Sequence, residues 1–126
     1  MESDQNGVAI CLLDDDPSIL KATSRLLSSS GWKVELFTDP IAFLSYAQRH
    51  RPRVAVIDIW MPVMNGLQVQ TRLRHLSPGT RVIVLTGKDD QVIRSKVISA
   101  GASGFFLKPV RNEEFLAGIQ SAFSEA

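Results

Sequence analysis

The sequence predicts an α/β fold: a single doubly wound, five-stranded parallel sheet with helices on both faces. Three observations carry that prediction. Four short runs are apolar at successive positions without alternation, the habit of strands buried on both faces: Leu12-Leu13, Val54-Ala55-Val56-Ile57, Val82-Ile83-Val84-Leu85 and Phe105-Phe106-Leu107. Segments of helical spacing separate them and open on capping residues. The connections are a few residues long, as βα units require. Each run also stops on a polar residue, in order Asp14-Asp15-Asp16, Asp58, Thr86 and Lys108. Parallel strands end on one edge, where open α/β sheets bind their ligands, so three acids, a hydroxyl and an ammonium are expected to share one crevice.

The elements follow in order. Cys11 lies mid-run in the first strand, and as the only cysteine it reads as a small buried apolar residue, with no intramolecular disulfide or thiolate metal site available. Asp16-Pro17 supplies an N-cap and a proline at the first helical position, where its missing N–H costs nothing. Ile19, Thr23, Leu26 and Leu27 form the stripe of that helix, and Ser28-Ser29-Ser30-Gly31 ends it. Val34, Leu36 and Phe37 predict a short second strand, and Asp39-Pro40 repeats the cap before a helix that buries Phe43, Leu44 and Ala47. It runs out in Arg49-His50-Arg51-Pro52, cations favoured at a helix C-terminus. After the third strand, Asn65-Gly66 opens a helix with Val69, Leu73 and Leu76 inward, closed by Ser77-Pro78-Gly79. Asp89 or Asp90 caps a fourth helix containing Ile93 and Val97, and a fifth runs from Asn112 with Phe115, Ile119, Ala122 and Phe123 on one face. Right-handed crossovers leave few topologies, and the flavodoxin-like strand order 2-1-3-4-5 sets the ends of strands one and three side by side. Asp14, Asp15 and Asp58 then become neighbours.

At 126 residues and 44% hydrophobic content the chain is expected to form one domain, residues 1–126, with no second domain and no linker. A formal charge of +1, from 14 basic and 13 acidic residues, gives no electrostatic case for nucleic-acid or membrane binding. The polar opening Met1 to Gly7 lacks the basic start and apolar stretch of a secretory signal, and no apolar run approaches the roughly 18 residues of a membrane helix. A cytoplasmic protein is expected.

Three carboxylates in one crevice repel one another. At ~4 Å and an effective dielectric of ~20, each like-charged pair costs about 4 kcal/mol, so either the pKa values rise or a cation sits among them. Magnesium suits the second option, because it takes oxygen ligands and typically uses one or two carboxylates together with phosphate oxygens. A carboxylate can also be a nucleophile that forms an aspartyl-phosphate. Lys108 and the Thr86 hydroxyl are then donors to phosphoryl oxygens. Nothing in the set looks like a base for rapid turnover.

The strings Leu12-Leu13-Asp14-Asp15-Asp16-Pro17, Asp58-Ile59-Trp60-Met61-Pro62-Val63-Met64-Asn65-Gly66, Leu85-Thr86-Gly87 and Gly101-Ala102-Ser103-Gly104-Phe105-Phe106-Leu107-Lys108-Pro109 resemble the receiver domain of two-component response regulators, from about Val8 to Phe123. The resemblance implies a domain that accepts a phosphoryl group on Asp58 from a sensor histidine kinase or phosphotransfer protein, with Mg2+ as cofactor. It makes Asp15 a direct magnesium ligand, Asp14 a ligand through water and Trp60 a ligand through its backbone carbonyl, with Asp58 also in the metal set. Thr86 and Lys108 contact the phosphoryl group, and the Lys108-Pro109 bond is expected to be cis. The resemblance also implies a switch, in which Thr86 is drawn to the phosphate and Phe105 moves inward behind it. Phenylalanine has no hydroxyl to satisfy when buried. The reshaped surface on the fourth helix, fifth strand and fifth helix is then the face for an output domain or target protein, or for a phosphorylation-dependent homodimer. The stretch Ile41 to Met64 resembles receivers that precede a helix-turn-helix domain, which points to a transcriptional regulator, with no direct nucleic-acid contact by this chain.

Simpler readings hold for other residues. Asp16 is a helix cap, His50 and His75 are solvated helix-end residues, and Arg49, Arg51 and Arg53 form a solvated rim. Gly101 to Gly104 and Gly87-Lys88 lack the setting of a nucleotide-binding loop. Aspartyl-phosphate phosphatases of the haloacid-dehalogenase type carry a second aspartate two residues after the nucleophile, where this chain has Trp60, so an enzyme with turnover is disfavoured. Flavin phosphate would be repelled by Asp14 to Asp16. An unphosphorylated interaction module is the remaining alternative, against which the intact Asp58, Thr86 and Lys108 argue.

Overall fold

The computed structural model describes residues 10–124, so the expectations placed on Met1 to Gly7 and on Val8 fall outside it. Among the described residues five strands and five helices alternate: β1 (Ile10–Leu13), α1 (Pro17–Ser29), β2 (Val34–Phe37), α2 (Pro40–His50), β3 (Val54–Asp58), α3 (Gly66–Leu76), β4 (Arg81–Thr86), α4 (Gln91–Ser99), β5 (Gly104–Leu107) and α5 (Asn112–Ser124). The strands form one sheet in the order β2-β1-β3-β4-β5, with every neighbouring pair parallel.

Pleating divides the core in two. Cys11, Leu13, Ala55, Ile57, Val82 and Val84 face α2, α3 and α4, where Phe43, Leu44, Ala47, Val69, Leu73 and Val97 meet them. The alternate positions, Ile10, Leu12, Val54, Val56, Ile83 and Leu85, face α1 and α5 through Leu20, Leu27, Phe115, Ile119 and Ala122. Burying such a side chain stabilises by about 1.5–3 kcal/mol relative to exposure. The central strands β1 and β3 are therefore buried throughout.

Helix starts match their capping chemistry. The side chains of Asp16, Asp39 and Asp90 accept from the first free N–H groups of α1, α2 and α4, and proline occupies the first turn of α1 and α2. Asn65 and Gln68 form a reciprocal capping box, each side chain bonded to the other's backbone N–H at 2.9 Å.

Three expectations need correction. The run Phe105 to Leu107 is not buried on both faces, because β5 is an edge strand: Phe105 and Phe106 are half-buried and Leu107 is exposed. On α1 the fully buried residues are Leu20 and Leu27, while Ile19, Thr23 and Leu26 are only partly covered; the stripe is rotated toward Leu20. Arg53 is more than a solvated rim residue, since its guanidinium lies 5.0 Å from the Phe123 ring centroid and donates to the Phe123 carbonyl at 3.4 Å. Phe123 in turn stacks on Trp32 at 4.4 Å, which fastens the end of α5.

Candidate functional site

Register decides what meets at the carboxyl edge. Leu13 pairs with Ile57, so Asp14 and Asp58 follow side by side, and Thr86 pairs with Leu107, so Lys108 follows next to β4. The Lys108 amide also donates to the Thr86 carbonyl at 2.8 Å. Asp58 continues the parity of Val54 and Val56, the α1/α5 side of the sheet, and together with Asp14 it lines a small pocket with Leu12, Ile19, Leu20, Thr23, Val56 and Leu85.

The charged groups form one cluster. Asp14, Asp15 and Asp58 each place a carboxylate oxygen within 4.8 Å of the others. Asp14 and Asp58 are buried, at 4% and 5% exposure, while Asp15 is open to solvent. Lys108 Nζ donates to Asp14 Oδ2 at 2.7 Å and to Asp58 Oδ1 at 3.0 Å. Asp14 Oδ1 accepts from the Asp16 N–H at 3.0 Å, so both of its oxygens are engaged.

Burial pushes the Asp58 carboxyl above its ordinary range; the Lys108 hydrogen bond and charge oppose this, and the charges of Asp14 and Asp15 reinforce it. Burial alone would lower Lys108, but its hydrogen bonds to Asp14 and Asp58, followed by their charges, outweigh burial and leave it raised. Three carboxylates against one ammonium is an arrangement still short of positive charge. An all-oxygen donor set of this kind, with one member open to solvent, fits a hard divalent cation.

The remaining candidates border this cluster. Thr86 is 1% exposed, and its hydroxyl is turned into the β4–α4 loop, donating to the Lys88 carbonyl and accepting from the Lys88 N–H, both at 3.2 Å. Trp60, 43% exposed, leaves the end of β3 and carries Lys88 Nζ at 5.6 Å over its ring. Phe105 packs half-buried against the core on the α4 side, with the Arg94 guanidinium 5.3 Å from its ring centroid. The Lys108–Pro109 peptide is cis.

Two features of the loop after Asp58 carry no simple sequence signal. Val63 has φ of +72°, and the Met64 N–H donates back to the Pro62 carbonyl at 2.7 Å, a tight three-residue turn on a β-branched residue. At 95% exposure Val63 contributes no packing in return. Val63→Gly is therefore expected to stabilise the domain by about 1 kcal/mol, read as a rise in the urea midpoint at unchanged slope. Gly66 is the second feature: a Cβ there would lie 2.5 Å from the Asp58 carbonyl oxygen and 2.9 Å from the Ile59 Cα. Its N–H meanwhile donates to the Ile59 carbonyl at 2.9 Å. Gly66→Ala should cost about 1–3 kcal/mol in chemical denaturation by forcing the Asp58–Ile59 backbone away from α3.

The fold and this edge cluster match a known group of proteins. The response regulator receiver domain family matches residues 10–120 of the chain. This chain belongs to that family. The receiver is 40% identical to the response regulator protein TodT of Pseudomonas putida over 124 residues, 98% of this chain and 54% of that protein. It is 32% identical over 119 residues to a Mycobacterium tuberculosis protein described as "Probable transcriptional regulatory protein TcrX", covering 94% of this chain and 51% of that one. The receiver thus spans about half the length of these curated relatives. Its structure superposes on a CheY-like receiver domain protein of Methanospirillum hungatei with a TM-score of 0.88 at 28% identity, covering 94% and 96% of the two chains. As a receiver it is a signalling domain of two-component systems. No helix among the described residues is long and apolar enough to cross a membrane.

Proposed function

We propose that this receiver accepts a phosphoryl group on Asp58 in a magnesium-dependent reaction and reports that event through its α4–β5–α5 face. The observation that carries the reading is the cluster of Asp14, Asp15, Asp58 and Lys108. Lys108 holds Asp58 through Oδ1, and the second oxygen is the nucleophile. It attacks phosphorus in line with the bond to the donor, an imidazole nitrogen of a phosphohistidine or the acyl oxygen of a small phosphodonor. The O–P bond forms as the donor bond breaks, and the leaving group departs with the electron pair. Lys108 neutralises charge on the transferred group, and the Thr86 hydroxyl, released from Lys88, donates to a second phosphoryl oxygen.

Mg2+ would be held by Asp15 and Asp58 directly, by Asp14 through water, and by the Trp60 carbonyl, and when bound it supplies charge neutralisation to phosphoryl oxygens. The engaged oxygens of Asp14 agree with an indirect role. Movement of Thr86 makes room for Phe105 on the α4 side, and the altered face is what an output domain, a target protein or a second copy of the receiver would read. The transcriptional description of TcrX supports a transcriptional regulator as the whole protein. The phosphodonor in this reading is a sensor histidine kinase or phosphotransfer protein, and the compartment is the cytoplasm.

Magnesium supplies the test. At about 100 times its dissociation constant it should stabilise the domain by about 2.7 kcal/mol, a rise in Tm of roughly 10 °C, and Asp15→Ala should abolish that rise. Asp15 is exposed and its charge opposes that of Asp58, so without metal the variant is expected to be at least as stable as the parent. An identical response of variant and parent to magnesium would refute the assignment.

A further inference from the structure

The core commits α4 less than its neighbours. Only Val97 is fully buried in this helix, whereas α2 and α3 bury four residues each. Outside the apolar core, side-chain contacts reach it from two other elements. From α3 the buried Gln70 donates through Nε2 to the Val97 carbonyl at 3.2 Å. From the other side the Arg94 guanidinium lies over the Phe105 ring at 5.3 Å. Arg94 is exposed, and Phe105 is half-buried with its ring packed against the core; this half-exposed placement beside the cation is its outer position.

That geometry has a direction. An arginine over an aromatic face is attracted by the ring quadrupole. A ring that moves inward leaves the cation behind, because following it would strip the guanidinium of water without a partner. The contact therefore stabilises only the outer position of Phe105. We propose that Arg94 is a positioning residue, a latch that holds Phe105 in this outer position and sets how readily the receiver passes to its phosphoryl-bound form. The proposal rests on the phosphoacceptor reading above, and it assigns the threshold of the switch to a residue outside the charged cluster.

Beryllofluoride, a phosphoryl mimic, with magnesium measures the threshold as an affinity, since a ligand that needs the inner position binds more weakly by the fraction of molecules that occupy it. Arg94→Met, which keeps length and removes charge, should tighten beryllofluoride binding about two- to five-fold. Arg94→Lys, which keeps the cation, should restore most of the parent affinity. Simple electrostatics predicts the opposite sign, because losing a cation weakens an anion. In a Phe105→Leu background, with no ring to hold, Arg94→Met should change nothing. Unchanged or weaker binding by Arg94→Met, or the same tightening without the ring, overturns the latch while leaving the phosphoacceptor reading intact. A parent protein that ignores beryllofluoride and magnesium altogether overturns both.

Discussion

Asp58→Asn is expected to abolish acid-labile phosphate incorporation from acetyl phosphate in magnesium, a loss of ~100-fold or more, because the amide cannot supply the attacking oxygen. The same variant should be more stable than the parent when metal is absent. Three carboxylates share one ammonium here, and Lys108 keeps its 2.7 Å partner Asp14 when Asp58 loses its charge. Relief of repulsion at a buried site is worth about 1–2 kcal/mol at neutral pH. The pH dependence follows from the raised carboxyl. Between its unfolded value of 3.8 and its higher folded value the native state holds more protons than the unfolded chain, so Asp58 makes stability fall as pH rises through that window. Thermal melts from pH 4 to 7 should show that decline in the parent and lose its Asp58 component in the variant.

Lys108→Met acts in the opposite direction. It leaves Asp14 and Asp58 buried beside one another without the cation they share at 2.7 and 3.0 Å. Removing one partner from such a cluster should cost about 3 kcal/mol at neutral pH without metal, or roughly 10 °C in Tm. The loss should shrink as pH falls toward the carboxylate range, because protonating Asp58 removes the stranded charge. Adding Asp58→Asn to Lys108→Met should recover most of the stability. A double variant no more stable than the Lys108→Met single variant would contradict the charge account of that loss.

The sheet, its order and the site edge were legible because the signals were local and redundant. Unalternated runs ending on Asp14, Asp58, Thr86 and Lys108 fixed both strand type and polarity, and Asp16, Asp39 and Asn65 marked helix starts by their capping chemistry. What sequence did not reveal depends on contacts between separated segments. Nothing local in the sequence marks Gln70, because its partner, the Val97 carbonyl, is brought against it only by α4. Nothing local marks Lys88 and Arg94 either, because the rings of Trp60 and Phe105 meet them only in the folded chain. The run Phe105 to Leu107 reads as a strand buried on both faces, and only its edge position in the sheet leaves it partly covered. The Asn65-Gly66 pair was visible as a helix start, but the need for glycine at 66 comes from the Asp58 backbone it touches.

Reductive mapping of the phosphorylated protein tests the central assignment most directly. Borohydride converts an aspartyl-phosphate to homoserine, so peptide sequencing after treatment with acetyl phosphate and magnesium should find homoserine at position 58, and none when magnesium is chelated. Homoserine at another aspartate, or labelling at position 58 that persists without the metal, would contradict the account.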